Sequence, residues 1–467
     1  MAIPRSTEPL VRLLEETPQD KVVEALAEKI RGGAAYRDVL AALLMAGVRN
    51  VEPRPTVGYQ FHTVLVVQAI HLISSALKGN KRWIPLLWAA DYFKDAQAED
   101  ERERNWTMRP VDESAVAAVK DPKTEFVDAM EAWDESKADA AVVALVRTAE
   151  PDEIWELFFR LGPRDFRSIG HKAIDVYNTH RVLGVIGWEY AEPAIRSLAY
   201  ALLMHEGENP AARDAWADRP GRENWKRIEE LPEGWNTAKG DDAKKRTATV
   251  ELTSTLRDGS ESDAPEKVVE LLKRGAPVRA IWDGLFLGTA ELLVRQPGIV
   301  ALHSLTTSRA IHYAYRFAKD DRTRAYLLLQ NAAFLPMFRR TMADRGEVAE
   351  FQLDALKPDM NGRADQATVR AIFDALGEDA TNAAKRTLGY FEAGGASTPW
   401  IDTARNLLLP KGSGPHDYKF ASALFELHDH ISPEWRGHLM GAGTYILDGT
   451  SAPDNPLVDR IETALGG

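Results

Sequence analysis

Eleven histidines and no cysteine set the chemistry open to this 467-residue chain. Without thiols there are no disulfides, thiolate nucleophiles, iron–sulfur clusters or cysteine-held zinc, so any metal must be held by His, Asp or Glu. Six of the histidines form three pairs nine residues apart: His62 and His71, His171 and His180, His303 and His312. Each pair ends a block with the same order of features. The first block runs KVVEAL (21–26), AYRDVLAALLMAG (35–47) and FHTVLVVQAIHL (61–72). The second runs AVVAL (141–145), DEIWELFFRLG (152–162) and GHKAIDVYNTHR (170–181), and the third KVVELL (267–272), VRAIWDGLFLG (278–288) and LHSLTTSRAIHY (302–313). A fainter fourth has VRAIFDALG (369–377), then a helix-like stretch from 414 in which His416 takes the first His position and Phe425 the second.

Helical geometry separates the two His sets. Nine residues at 100° each turn a helix by a net 180° and advance it about 13.5 Å, so the two members of a pair cannot share one ion. Equivalent positions of copies packed around one centre can. His62, His171, His303 and His416 each follow a Gly or Pro break and open an apolar stretch, which predicts a ring of four imidazoles at one depth. Such a ring suits a first-row metal with positions left open for substrate or O₂, with Fe(II) the first choice and Zn the second. Glu192, with Glu189 behind it, is the expected carboxylate support for the rings. His71, His180, His312 and Tyr177 are expected to line the substrate space and hold or protonate the substrate. Without a metal the same imidazoles could serve as general bases.

Other signals are weaker. His428-Asp429-His430 resembles a metal-phosphohydrolase pair but falls where a helix should end before Ser432-Pro433, and reads as an exposed helix end. No phosphate-loop, dinucleotide, serine-hydrolase or zincin pattern occurs in the right context. Trp83, Trp88, Trp155, Trp188, Trp282, Tyr313 and Tyr315 sit at core phases.

The elements that would position these groups are helices. The 3.6-residue period is clear at 20–30, 35–46 and 266–273, and strand-like alternation is scarce. Breaks fall at Gly32-Gly33, Pro53 and Pro55, Gly162-Pro163, Gly275 with Pro277, Pro297-Gly298 and Gly412 to Pro415. The prediction is an all-α body of four tandem diverged helical modules with a His-lined centre: 1–110, 111–205, 248–345 and 346–467. Residues 206–247 form a polar surface excursion with a short helix near 223–231.

The His stretches FHTVLVVQAIHLISSAL, GHKAIDVYNTHRVLGVIGWEYAEPAIRSLAYAL and LHSLTTSRAIHYAYRFAKDDRTRAYLLLQNAAFL resemble those of the questin oxidase-like family, in order along most of the chain. The family's first motif is denser in His and Asn, where this chain has Thr63, Val64 and Gln68. The resemblance implies oxidation of an aromatic, polyketide-like molecule in secondary metabolism, with O₂ and an external reductant such as NADPH. His62, His171, His303 and His416 match the family's recurrent histidines.

Charge narrows the partners. There are 58 Lys+Arg against 70 Asp+Glu, a net charge of −12, and no dense basic run, so nucleic acid is not the expected partner. No signal-like or membrane-spanning apolar run is evident, and a cytoplasmic protein acting on a small molecule is the expectation. Two rival readings remain: a zinc-dependent hydrolase using the same ring, and a non-catalytic helical-repeat scaffold.

Overall fold

The periodic stretches fold as helices at Gln19–Arg31, Tyr36–Asn50 and Asp263–Lys273. The first buries Val22, Val23, Leu26, Ala27 and Ile30, one face of a 3.6-residue repeat. The computed structural model describes residues 1, 3–54, 60–359, 361 and 363–466, and no strand occurs among them. Pro55, expected to help break the chain before the first His helix, lies outside the described residues.

Eleven helices build the centre or flank it: α1 (Tyr36–Asn50), α2 (His62–Leu65), α3 (Val67–Ser75), α4 (Pro151–Leu161), α5 (His171–Ile186), α6 (Arg219–Arg227), α7 (Val278–Arg295), α8 (Ile299–Phe317), α9 (Asp321–Ala343), α10 (Ser397–Lys411) and α11 (Pro415–His430). Four helical columns form the centre, the broken α2–α3, α5, α8 and α11, each packed on two neighbours in that cyclic order. Helices α1, α4, α7 and α10 each precede a column and pack against it. The fourth block departs from the others: VRAIFDALG lies on helix Gln366–Ala375, and two helices, Ala380–Glu392 and α10, intervene before α11.

All four columns run parallel. Their first turns meet through the histidines, since His62, His171, His303 and His416 lie ring to ring. One to three turns further on, the same helices meet again: Tyr177 and Arg181 of α5 and Arg309 of α8 all bond Glu426 of α11. Parallel columns need a long return path, and the flanking helices supply it.

The stretch 206–247 is less of a loop than its polar composition implied. Its helix begins at Arg219, and from Asp242 the chain already belongs to the next long helix, Asp242–Asp258. Asn224 is fully buried because its amide finds partners on α9, donating to Leu329 O and Gln330 Oε1. A polar sequence can thus lie against the body when its polar groups are satisfied there.

The turn before α5 is held from both sides. Asp165 is fully buried and accepts from Lys172 Nζ at 2.9 Å and from the Arg167 backbone N–H at 2.9 Å, while Arg167 pairs with Asp218 of the 206–247 stretch. Lys172 and the Arg164 guanidinium also lie over the Trp133 ring, at 4.6 and 4.0 Å from its centre. This clamp sustains three successive left-handed residues, Ser168 (φ 57°), Ile169 (φ 48°) and Gly170 (φ 81°). The two that are not glycine cost about 1–2 kcal/mol each. A Cβ on Gly170 would collide with Thr307 Oγ1 of α8, so this position needs glycine for space as well as for φ. Gly170→Ala is expected to destabilise the fold by at least about 2 kcal/mol in urea unfolding. Unchanged stability would mean that α5 and α8 can part without cost.

Candidate metal centre

Each column delivers one imidazole from its N-terminal turn. His62 and His171 open α2 and α5, His416 follows Pro415 at the start of α11, and His303 is the fifth residue of α8. One ligand nitrogen from each ring lies within 4.8 Å of the other three. The Nε2–Nε2 separations are 3.0 Å for His171–His303, 3.2 Å for His62–His171 and 3.1 Å for His62–His416.

Backbone carbonyls orient two of the rings. His171 Nδ1–H donates to Ser168 O at 2.5 Å, and His303 Nδ1–H to Ile299 O at 2.6 Å. A carbonyl only accepts, so both Nδ1 atoms carry the proton, and a neutral ring then presents a bare lone pair at Nε2. Burial, the dominant cause, keeps the rings neutral: it holds His303 down to about 3 and His416 to about 2, and puts His62 and His171 well below the ordinary imidazole value. The 3.0 Å approach of His171 to His303 therefore sets two lone pairs face to face, which is repulsive unless a cation lies between them. The strained turn at 168–170 is what carries Ser168 O to its ring.

The donor set fits a first-row divalent ion. Ring centres lie 4.4 to 5.0 Å apart around the cycle His62–His171–His303–His416, whereas His62 and His303 across it are 6.5 Å apart. That ratio is near that of a square. At a metal–nitrogen bond of ~2.1 Å, neighbouring ligands sit roughly 3.0 Å apart in a square and roughly 3.4 Å apart in a tetrahedron. The observed 3.0 to 3.2 Å fits the square, an arrangement that leaves both faces open.

The expected carboxylate supports are elsewhere. Glu192 pairs with Arg147 and Glu189 with Arg37, both part-exposed and committed to holding neighbouring helices. Their position as charges among apolar residues pointed toward the ring, but partner arginines brought from distant helices claim them. Ser168 O and Ile299 O do the orienting instead. The second His set also keeps away from the ring, as a half-turn offset requires. His71 Nδ1 meets Tyr36 Oη at 3.1 Å and His180 Nδ1 meets Tyr313 Oη at 2.8 Å, while His312 packs edge-on to Trp282 and Phe286. Tyr177 does face the bundle interior, where its hydroxyl donates to Glu426 and accepts from Arg309. Helix α11 ends at His430 as expected, but His428 is buried, with Nε2 2.6 Å from Ser397 Oγ. Trp88, Trp155 and Trp282 are core residues, and Trp83 and Trp188 are half-buried.

Sequence reasoning missed the layer just inside the ring. Lys419, one turn after His416, is buried with no partner for Nζ among the described residues. Asp175, one turn after His171, is buried with Oδ2 equally unpartnered. Burial, the larger cause in both, pushes Lys419 down to about 7 and Asp175 up to about 7. A Lys and an Asp on the His-bearing stripe of apolar helices were the available signal. A surface cavity of about 730 Å³ between Trp133, Arg164, Trp225 and Tyr326 is lined by none of the four histidines.

No family model, curated protein or solved structure matches the chain. No described helix is long and apolar enough to cross a membrane.

Buried neutral histidines make stability depend on acid. Besides the ring, His180 and His438 are each held down to about 4 by burial. The unfolded chain takes up protons near pH 6.5 while these folded groups refuse them to about pH 4. The unfolded state therefore binds more protons in that window, and stability falls with pH by about 1.4 kcal/mol per unit for each such His. Chelator-treated protein is expected to lose melting temperature steeply from about pH 6.5 to about pH 4. A flat profile across that range would show that the folded chain accepts these protons.

Proposed function

We propose that the protein is an oxidoreductase that binds iron(II) through His62, His171, His303 and His416 and uses O₂ to oxidise a small hydrophobic molecule of aromatic or polyketide-like character. One observation carries the reading: four imidazole nitrogens converge in a buried centre, and two of them have their outer Nδ1–H pinned so that the bare lone pair points inward. The near-square spacing departs from a tetrahedral zinc site and so weighs against a zinc hydrolase built on the same residues, while the choice of iron rests on the open positions that O₂ chemistry needs and on the family resemblance. The resemblance of the His stretches to the questin oxidase-like family points the same way.

When bound, the ion supplies a redox couple and open positions at which O₂ can be activated. The chain's own residues do the rest. The carbonyls of Ser168 and Ile299 fix the tautomer and plane of two rings, which raises their basicity as ligands. Apolar packing of the four columns keeps bulk water from the centre. Arg309, held by Tyr177 and Glu426, keeps a buried Nε–H without a partner among the described residues and can donate it to a substrate oxygen. A scaffold protein would have no use for two bare lone pairs held face to face.

Elemental analysis of purified protein is expected to find about one iron per chain, and His171→Ala to lower retained iron at least about tenfold while the helical circular-dichroism signal persists. O₂ uptake in the presence of a reductant is expected to follow iron content. Stoichiometric zinc in place of iron would favour the hydrolase, and full metal retention by His171→Ala would remove the centre as drawn.

A further inference from the structure

A column of polar side chains runs along the bundle axis from the ring to the surface. Counting from each ring histidine, Lys419 stands at +3, Asp175 and Thr307 at +4, Gln68 and Arg309 at +6 and Asn178 at +7. These offsets place them about 4.5–10.5 Å beyond the rings. All six are buried, in the part of a parallel bundle where apolar packing is the norm.

Most of this layer lacks partners. Lys419 Nζ, Asp175 Oδ2, both amide atoms of Gln68, Asn178 Nδ2, Thr307 Oγ1 and Arg309 Nε are buried without a hydrogen bond among the described residues. The breaks in the helices explain part of the arrangement. At the α2–α3 junction the Gln68 backbone N–H is free of its usual helical acceptor and instead donates to Asn178 Oδ1 at 3.0 Å, which turns the Asn178 amide nitrogen away unpaired. Lys419 is the hub. Its charge is felt at all four imidazoles, and it in turn feels the charges of Arg309 and Asp175. Each unmade hydrogen bond of a buried group costs about 1–3 kcal/mol, so a native chain retains so many only where something else completes them.

Charge says what that is. The column holds three cationic side chains, Lys419, Arg309 and Arg181, against two acidic ones, Asp175 and Glu426. Arg309 and Arg181 both bond Glu426, and Lys419 has only Asp175 to balance it, with no hydrogen bond from its Nζ among the described residues, so the column carries one positive charge in excess. Ordered water would satisfy the donors but not the charge. A monoanion supplies the missing charge and accepts from the donors of the layer, while the Asp175 and Gln68 oxygens need a donor that ordered water supplies.

We propose that this layer is a carboxylate-binding site: a small molecule bearing one carboxylate is held by Lys419, Asn178 and Gln68, with its remaining carbons directed toward the imidazole ring. The layer is nearest to solvent at the opposite end, where Glu426 and Arg181 are part-exposed and Arg309 bonds the same Glu426. The fate of the bound molecule rests on the metal-centre reading, whereas its binding does not.

Ligand-observed NMR titrations test this on the protein as purified, with metal content measured on every sample. The probes are acetate and benzoate, each against its neutral amide. At least one carboxylate is expected to bind about ten or more times as tightly as its amide. Lys419→Met is expected to erase that preference without lowering metal content, since it removes a cation beside the ring, and Gln68→Leu, which alters no charge, to weaken carboxylate binding severalfold. Equal binding of acid and amide, binding of neither, or a preference that survives both substitutions would overturn the site. Carboxylate preference in protein that holds no metal would keep this proposal and end the iron reading; stoichiometric iron without the preference would do the reverse.

Discussion

Four neutral imidazoles converge on one buried point, and two of them, His171 and His303, turn bare nitrogens toward each other, an arrangement that is unfavourable by itself and that much of the chain is organised to hold. The bare lone pairs of His171 and His303, 3.0 Å apart, repel. The rings cannot relieve this by protonation, because burial withdraws them from the water that would stabilise the charge. Nor can they rotate freely, since two are tied to backbone carbonyls. The tie at His171 demands a left-handed turn, that turn demands Gly170, and the turn is sustained by a buried Asp165–Lys172 pair braced by Arg167 and Asp218. A chain of local costs ends at a single point in space.

The parallel direction of the columns turns that point into one end of an axis. In an antiparallel bundle equivalent positions of successive helices would alternate between the two ends. Here the flanking helices carry the chain back each time, so equivalent residues stack in layers: the rings, then Lys419 with Asp175, then Arg309 with Asn178, then the Glu426 cluster with its two arginines. The interior grades from imidazole to ion pair along about three helical turns, and the outermost layer reaches solvent.

Much of this was legible before the fold. Periodicity placed the helices, and internal similarity picked out His62, His171, His303 and His416 from the remaining histidines. The nine-residue offset correctly separated His71, His180 and His312 from them. What failed was judgement about isolated charges. Glu192 and Glu189 looked like supports because they stood in apolar surroundings, yet Arg147 and Arg37 arrive from elsewhere in the chain to claim them. Lys419 and Asp175 stood in surroundings just as apolar, and no arginine or acid comes to pair with them at hydrogen-bonding distance among the described residues. Nothing local distinguishes the two cases, because pairing depends on helices that meet only in the folded body.

The amino-acid sequence by itself determined the helices and the recurrence of a histidine at the head of four of them, since both are written in short-range spacing. Only the tertiary structure decided that the four heads lie at one level, that backbone carbonyls rather than carboxylates aim the rings, and that a second polar layer waits behind them. Those outcomes depend on the direction and closure of the bundle, which arise from packing between segments more than a hundred residues apart and leave no trace in the order of neighbouring residues.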